Sequence, residues 1–385
     1  MNKEDPALDN VKIPFFPIGL RPTKGTLQEI ELQMRVDTSA LLISKPHFTY
    51  IYPVGRGGFG RVWKVEHKRN KSHFALKEMQ KLRVVSKRSV NSVMNERKLL
   101  ASINHPFVVN MHYAFQDREN LYLVLDYMRG GDLRFHLSRQ RIFTESQARF
   151  FAACIIVGLE YIHSNNIIHR DIKPENLVFD ENGYLCITDF GIARIWSPEN
   201  AKDTSGTPGY MAPEVLCRQN HGFGVDYFAL GVILYEIVTG HRPYTGRDRK
   251  EIRDQILSKQ AQIRVNEVPK DWSLESADFI NQLLIRKSSN RLGKNPLEVR
   301  NHPWIKNFSW NELMQRTFQA PYLPLAQDNF DPRNTGDWKD EIDGNLNMEL
   351  VQHMFPDYYY EVPTVNPESP GFVHRKMKTR MIRFN

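Results

Sequence analysis

His169 to Gly191 reads HRDIKPENLVFDENGYLCITDFG. This run sets four polar side chains of definite type close together. Asp171 is a carboxylate that can accept the proton of an attacking hydroxyl. Lys173 brings an ammonium that neutralises charge on a γ-phosphoryl group in transfer, and Asn176 and Asp189 offer the hard oxygens that magnesium takes. Phosphoryl transfer runs through a loose transition state, so a protein contributes mainly position and electrostatics. That requires several polar groups fixed around one small volume. His169 reads as a packed core histidine behind Asp171.

Upstream, GRGGFGRV (55–62) places Gly55, Gly57 and Gly60 in G-x-G-x-x-G spacing, with Arg56, Gly58, Phe59 and Val62 completing the loop and its return strand. Glycines let backbone amides approach phosphate oxygens. The same spacing marks dinucleotide folds, but here a strand-like run follows instead of a helix, and no βαβ pattern accompanies it. No GxxxxGK[ST] occurs, which excludes the P-loop ATPases. FALK (74–77) puts Lys77 into an apolar strand that also holds Ala75, and a buried ammonium needs a partner. Glu96 in NERKLL (95–100) is either a solvated helix charge or that partner, and FALK before it favours the ion pair.

Composition narrows the class without naming it. The 385 residues suit one two-lobed enzyme or two modest domains, and 41% hydrophobic with 25% charged residues is globular. No apolar run approaches the ~18 residues of a membrane span. MNKEDPALDN lacks a signal-peptide layout and has no Gly at position 2, so an intracellular, cytoplasmic protein is expected, with the nucleus as the alternative. Cys154, Cys186 and Cys217 stand singly in apolar stretches and are expected as buried thiols, not as a disulfide or zinc framework. The formal charge of +8 suits anionic partners, but no nucleic-acid module is recognisable. Part of that charge crowds the end, at His374, Arg375, Lys376, Lys378, Arg380 and Arg383. Those residues read as a solvated tail or as a contact for anionic lipid.

Residues 1–46 read as an extension, broken by Pro6, Pro14, Pro17 and Pro22, with Leu27, Ile30 and Met34 at helical spacing. From 48 to about 127, short strand-like runs (RVWKVEH, HFALKEM, LYLVLDYM) predict a small β-rich lobe with one main helix, roughly 87–102. From about 128 to 305 the chain reads as mostly helix. TESQARFFAACIIVGLEYIHSNN opens on Thr144 as N-cap, and GVDYFALGVILYEIVTG and SLESADFINQLLIRK follow. Residues 306–385 read as an extended tail wrapped on a surface, or as disorder.

The ordered set of Gly-rich loop, FALK, HRDxKxxN, DFG and APE resembles the eukaryotic protein kinases over about 48–305. The resemblance implies an α+β, bilobal kinase fold that binds ATP with Mg2+ and phosphorylates proteins. HRDIKPEN and GTPGYMAPE (206–214) are similar to the serine/threonine branch, in which Thr207 contacts Asp171 and Lys173. It implies that Glu214 pairs with Arg291 of SSNRLG, and that Asp226 holds the catalytic-loop backbone; Phe228 stands where the family usually has Trp. HPFVVNMHYAFQDRENLYLVLDYMRGGDLRFHL (105–137) is similar to the hinge region of the AGC group, most of all of YANK-like kinases. By that likeness Leu125 is the gatekeeper, Asp126 and Met128 bracket the adenine-binding backbone, and Asp132, Glu175 and Val178 complete the nucleotide site. NFSWNELMQRTFQAPYLP (307–324) resembles the AGC tail, with Pro321 and Pro324 as its PxxP element. FPDYYY (355–360) resembles a degenerate hydrophobic motif, with Phe355, Tyr358 and Tyr360 at its aromatic positions. Two readings of it stay open, docking on the small lobe or a plain aromatic tail.

The resemblance carries two further expectations. Where many AGC kinases carry a phosphorylated threonine, counting back from Gly206 reaches Asp203, so either Asp203 partners Arg170 permanently or an upstream kinase phosphorylates Thr204. Asp132, Glu175 and Glu236 match positions that receive substrate arginines, which implies a basic residue two or three places before the acceptor. A monomer is expected. The rival reading, a catalytically dead kinase-shaped scaffold, usually lacks the strand lysine or one of the two aspartates; here Lys77, Asp171, Asn176 and Asp189 are all present.

Overall fold

The computed structural model describes residues 42–140, 143–293, 295–324 and 348–362, and those from Lys45 onward form one compact unit. The predicted helical spacing at Leu27, Ile30 and Met34 and the basic run from His374 to Arg383 lie outside the described residues. Three strands rich in β-branched and aromatic residues open the small lobe: β1 (Phe48–Arg56), β2 (Gly60–His67) and β3 (His73–Gln80). They pair antiparallel in succession. Two helices follow, α1 (Lys81–Ser86) and α2 (Val90–Ser102), and then β4 (Met111–Gln116) and β5 (Asn120–Asp126).

Period-two alternation splits β3 into two faces. Phe74 and Leu76 point into the lobe and are buried, which sends Ala75 and Lys77 to the other side. The predicted helix over 87–102 begins instead at Val90, because Arg88 turns the chain at φ 53°. The short α1 before it has no counterpart in the sequence reading; six residues are too few to show a period.

The larger lobe is mostly helical, with two short β-arms at its top. The first arm joins β6 (Gly131–Asp132), β8 (Leu177–Phe179) and β9 (Leu185–Ile187); the second pairs β7 (Ile167–Ile168) with β10 (Arg194–Ile195). Between β6 and β7 lie α3 (Leu133–Arg139) and the long α4 (Glu145–Ser164). Thr144 caps α4 in a reciprocal box: Gln147 N donates to Thr144 Oγ1 at 3.2 Å, and Thr144 N donates to Gln147 Oε1 at 3.0 Å. From Ala148 to Leu159 all but Arg149 are buried, and each large apolar side chain there contributes about 1.5–3 kcal/mol. Further on come α5 (Pro213–Leu216), α6 (Gly224–Thr239), α7 (Arg249–Ser258), α8 (Leu274–Leu283), α9 (Pro296–Asn301) and α10 (Trp310–Met314). None of the described helices is long and apolar enough to cross a membrane.

The tail uses both lobes. Phe318 stacks on Phe150 and Phe308 at ring distances of 5.5 and 5.0 Å, and Tyr184 Oη donates to the Phe318 carbonyl at 2.6 Å. The Tyr322 hydroxyl lies 2.7 Å from His136 Nδ1. Backbone meets backbone where the tail crosses Gly183: at φ 85°, a Cβ there would sit 2.2 Å from the Tyr322 carbonyl oxygen. After residue 347 the tail forms α11 (Met348–His353) and β11 (Tyr360–Glu361), which joins the small-lobe sheet in the order β1-β2-β3-β5-β4-β11. The sheet therefore gains a strand from the far end of the chain. One expectation about the thiols is corrected: Cys154 and Cys186 are buried, but Cys217 is exposed. It caps α5 just before Arg218 turns the chain at φ 56°, so its apolar flanks do not cover it.

Candidate active site

Sheet register assembles the upper wall of the cleft. Val62 pairs with Lys77, and Ala75 with Leu125, so all four share the face opposite Leu76. Gly60 allows β2 to lie close on β3, since a Cβ there would sit 1.8 Å from the Glu78 carbonyl oxygen. The loop before it closes with Gly57 N donating to the Gly60 carbonyl at 2.8 Å. Lys87 Nζ donates to the Gly58 carbonyl at 2.9 Å and lies 5.9 Å from the Phe59 ring centroid. Arg56 and Gly58 are exposed at this rim.

Lys77 Nζ donates to Glu96 Oε1 at 2.7 Å and lies 3.8 Å from Asp189 Oδ1. Burial works against the ammonium, but Glu96 and Asp189 beside it hold its pKa above that of a free lysine. The same lysine, more than any other group, pulls the Asp189 carboxyl below the usual carboxylate range. Lys77 stays cationic and Asp189 anionic at neutral pH, the charge states suited to phosphate and to magnesium.

Three groups converge on one carboxylate, two of them from its own loop. Asp171 Oδ1 accepts from Thr207 Oγ1 at 2.7 Å, and Oδ2 accepts from Lys173 Nζ at 2.7 Å and Asn176 Nδ2 at 3.0 Å. Lys173 Nζ also reaches Thr207 Oγ1 at 3.0 Å. Arg170 (φ 69°) and Asp189 (φ 64°) both occupy the left-handed region, a strain of about 1–3 kcal/mol each that surrounding contacts must hold. Asp226 does this for Arg170. Its buried carboxylate accepts from the backbone N–H of His169 at 3.0 Å and of Arg170 at 2.8 Å, with His163 Nε2 2.8 Å away. Gly191 N donates to Asp189 Oδ1 at 3.1 Å. His169 is fully buried, edge-on to Phe190.

The donor set fits magnesium. Asn176 spends its amide N–H groups on Asp171, so Oδ1 is its remaining polar atom, and Asp189 is an ionised carboxylate. One carboxylate with one amide oxygen suits Mg2+, which keeps several waters and takes phosphate oxygens. Sheet pairing of β6 with β8 sets Asp132 opposite Val178. Asp132 Oδ1 also caps α3, accepting from Phe135 N at 2.8 Å. The Asp126 side chain bonds away from the hinge: it accepts from Asn110 N and Nδ2 and lies 2.7 Å from His112 Nε2. Its backbone N–H donates to the Asn110 carbonyl at 3.0 Å.

FPDYYY docks on the small lobe. Phe355 and Tyr358 are fully buried, and Tyr360 pairs with Ala114 across β4. Arg97, next to Glu96 on α2, donates from Nε to the Tyr358 carbonyl at 3.1 Å and from Nη2 to the Tyr359 carbonyl. Lys81 Nζ bonds Gln352 Oε1 and the Asp117 carbonyl, both at 2.5 Å. Consecutive residues of α2 thus face Lys77 and the tail, so docking fixes the rotation of the helix that carries Glu96. Phe355→Ala is expected to cost on the order of 3 kcal/mol of docking. Amide exchange over Val90–Ser102 should accelerate and kcat fall; unchanged protection would refute the coupling.

Two contacts of the site were not evident from local sequence: those of Arg134, and the hold of the Ile192 carbonyl on Arg170. Arg134 bonds two of the three carboxylates that the resemblance singled out, Glu175 and Glu236. Arg170, whose side chain is 4% exposed, gives Nε and Nη2 to the Ile192 carbonyl, while Nη1 lies 3.4 Å from Asp203 Oδ2 without a hydrogen bond. Burial lowers the Arg170 pKa, and Asp203 offsets part of that.

A protein kinase domain model matches residues 48–305, and the chain belongs to that family, whose members use ATP and Mg2+. Within the family it is a eukaryotic kinase of the AGC group. It is 37% identical over 309 residues to a probable serine/threonine-protein kinase of Dictyostelium discoideum, covering 80% of this chain and 66% of that one. With the serine/threonine-protein kinase sgk-1 of Caenorhabditis elegans it shares 39% over 293 residues, 74% of this chain and 62% of the relative. With human ribosomal protein S6 kinase alpha-1 it shares 38% over 318 residues, 80% and 42% of the two. The matched part therefore spans between 42% and 66% of these relatives' lengths.

Proposed function

We propose that this chain is an active serine/threonine protein kinase that transfers the ATP γ-phosphoryl group to protein hydroxyls. The observation that carries this is the Asp171 cluster, with Lys173, Thr207 and Asn176 each bonded to the Asp171 carboxylate within 3.0 Å and Lys77 paired to Glu96. Asp171 takes the acceptor proton, and Lys173 and Lys77 balance phosphate charge. Bound Mg2+, held by Asn176 and Asp189, would supply Lewis-acid neutralisation of the phosphates. The test is MgATP-dependent transfer of labelled phosphate to a basic peptide, lost in Asp171→Asn.

The reading extends to substrate and control. Asp132, Glu175 and Glu236 support a preference for Arg or Lys two or three residues before the acceptor; a peptide library favouring acidic residues there would sink it. The narrower likeness to YANK-like kinases, a monomeric state and a cytoplasmic or nuclear setting belong to the same reading. So does contact of the basic tail with anionic lipid; no nucleic-acid partner is part of it. Asp203 supports a kinase that depends less on an upstream kinase, because its carboxylate already stands beside Arg170. One charge where phosphate brings nearly two makes the anchor partial. Asp203→Ala is expected to lower kcat by about three- to tenfold through the loss of that charge. If Asp203→Ala and Thr204→Ala both leave kcat unchanged, the acidic anchor is wrong.

A further inference from the structure

The rim that should attract a basic substrate already holds a guanidinium from the chain itself. Arg134, in the first turn of α3, gives Nε to Glu175 Oε1 at 2.9 Å and Nη1 to Glu236 Oε1 at 2.6 Å. Its Nη2 bonds Glu236 Oε2 at 3.1 Å and the Tyr210 hydroxyl at 2.5 Å. All three nitrogens are used, and the grip on Glu236 is the two-pronged one that a planar guanidinium makes with a carboxylate. Glu236 is nearly covered, its side chain 12% exposed, whereas Glu175 is 45% exposed. Tyr210 donates its own proton to Glu236 Oε2 at 3.1 Å.

This cluster lies beside the reacting centre. Glu175 immediately precedes Asn176, and Tyr210 follows closely on Thr207; both Asn176 and Thr207 bond Asp171. A substrate side chain a few residues from the acceptor hydroxyl would come to this place. Asp132 differs. It neighbours Glu175 electrostatically, caps α3 with one oxygen, and makes no ion pair among the described residues.

We propose that Arg134 determines specificity by filling, in cis, the Glu175–Glu236 half of the acidic rim. The kinase then selects substrates with a single upstream basic residue, docked at Asp132, where an open rim would select two. The proposal rests on the kinase reading above. A second substrate arginine would have to displace a guanidinium already bonded on both sides, so it gains little. Deleting Arg134 uncovers two carboxylates, one of them nearly buried and left without its cation, which strongly favours a replacement.

The experiment compares kcat/KM for peptides with Arg two residues upstream of the acceptor, three upstream, both, or neither, using the full chain and MgATP. In the wild type the second arginine is expected to change kcat/KM by less than about threefold, and in Arg134→Ala to raise it by about tenfold or more. A purely structural Arg134 would instead lower turnover of all four peptides alike. Should Arg134→Ala fail to melt cooperatively, Arg134→Met, which keeps the apolar stem, is read in its place. A wild type that gains tenfold from the second arginine overturns the plug, as does a folded variant that gains nothing. If the wild type phosphorylates none of the peptides, the kinase reading falls and the plug with it; transfer without the expected ratios sinks the plug alone.

Discussion

Asp171→Asn is expected to lower kcat by about 10²–10⁴-fold, the range that one well-placed general base supplies. Asparagine fits the same space. Its oxygen can take the place of Oδ2 toward Lys173 and Asn176, and its amide can face the Thr207 hydroxyl, which rotates to accept. What disappears is the lone pair that receives the acceptor proton. In the proposed function ATP is held elsewhere, by Lys77, Asp189 and the Gly-rich loop, so KM for ATP should stay within about threefold while kcat falls. A loss shared equally between kcat and the affinity for ATP would mean that Asp171 mainly organises the cleft. Retained turnover would remove it from the chemistry altogether.

Arg291→Met is expected to destabilise the larger lobe by about 3–5 kcal/mol, because it strands a buried carboxylate. The Arg291 side chain is wholly buried and forks onto Glu214 at 2.6 and 2.9 Å. It also donates to the carbonyls of Ile285, Gly224 and Arg286, and stacks 5.0 Å from Phe228, the residue that stands where tryptophan is usual. One side chain thus ties α5, the start of α6 and the chain after α8 together. Urea denaturation followed by tryptophan fluorescence reads the loss, and a second change, Glu214→Leu, should recover part of it by removing the stranded charge. A cost below about 1 kcal/mol would show that the pair contributes little beyond its own desolvation.

The parts legible in sequence are those whose residues act over short chain distances or in a fixed order. Asp171, Lys173 and Asn176 share one loop, so their spacing alone brings them together. The capping box at Thr144 and Gln147 is equally local. Lys77 in an apolar strand announced its need for a partner, and the two-lobed α+β architecture followed from the change of period from strand to helix. The six-residue α1 was missed because so short a helix shows no repeat, and the six-stranded sheet because a two-residue β11 has no signature of its own. Its pairing exists only where the edge of β4 receives it. Cys217 was misjudged because apolar flanks do not bury a residue that caps a helix at the surface.

By itself, the sequence determined the candidates: a carboxylate able to take a proton, an amide and a carboxylate able to hold magnesium, and a cation suited to phosphates. Only the tertiary structure decided what those groups meet. It put Arg134 on Glu236 across 102 positions of chain, the strained Arg170 on the Ile192 carbonyl, and Arg97 on a tail segment 261 positions away. The physical reason is the same in each case. A single arginine in a helix or a loop carries no local mark of its partner, and its role is set by the acceptor that folding places within reach. That placement depends on every element between the two, which no local pattern records.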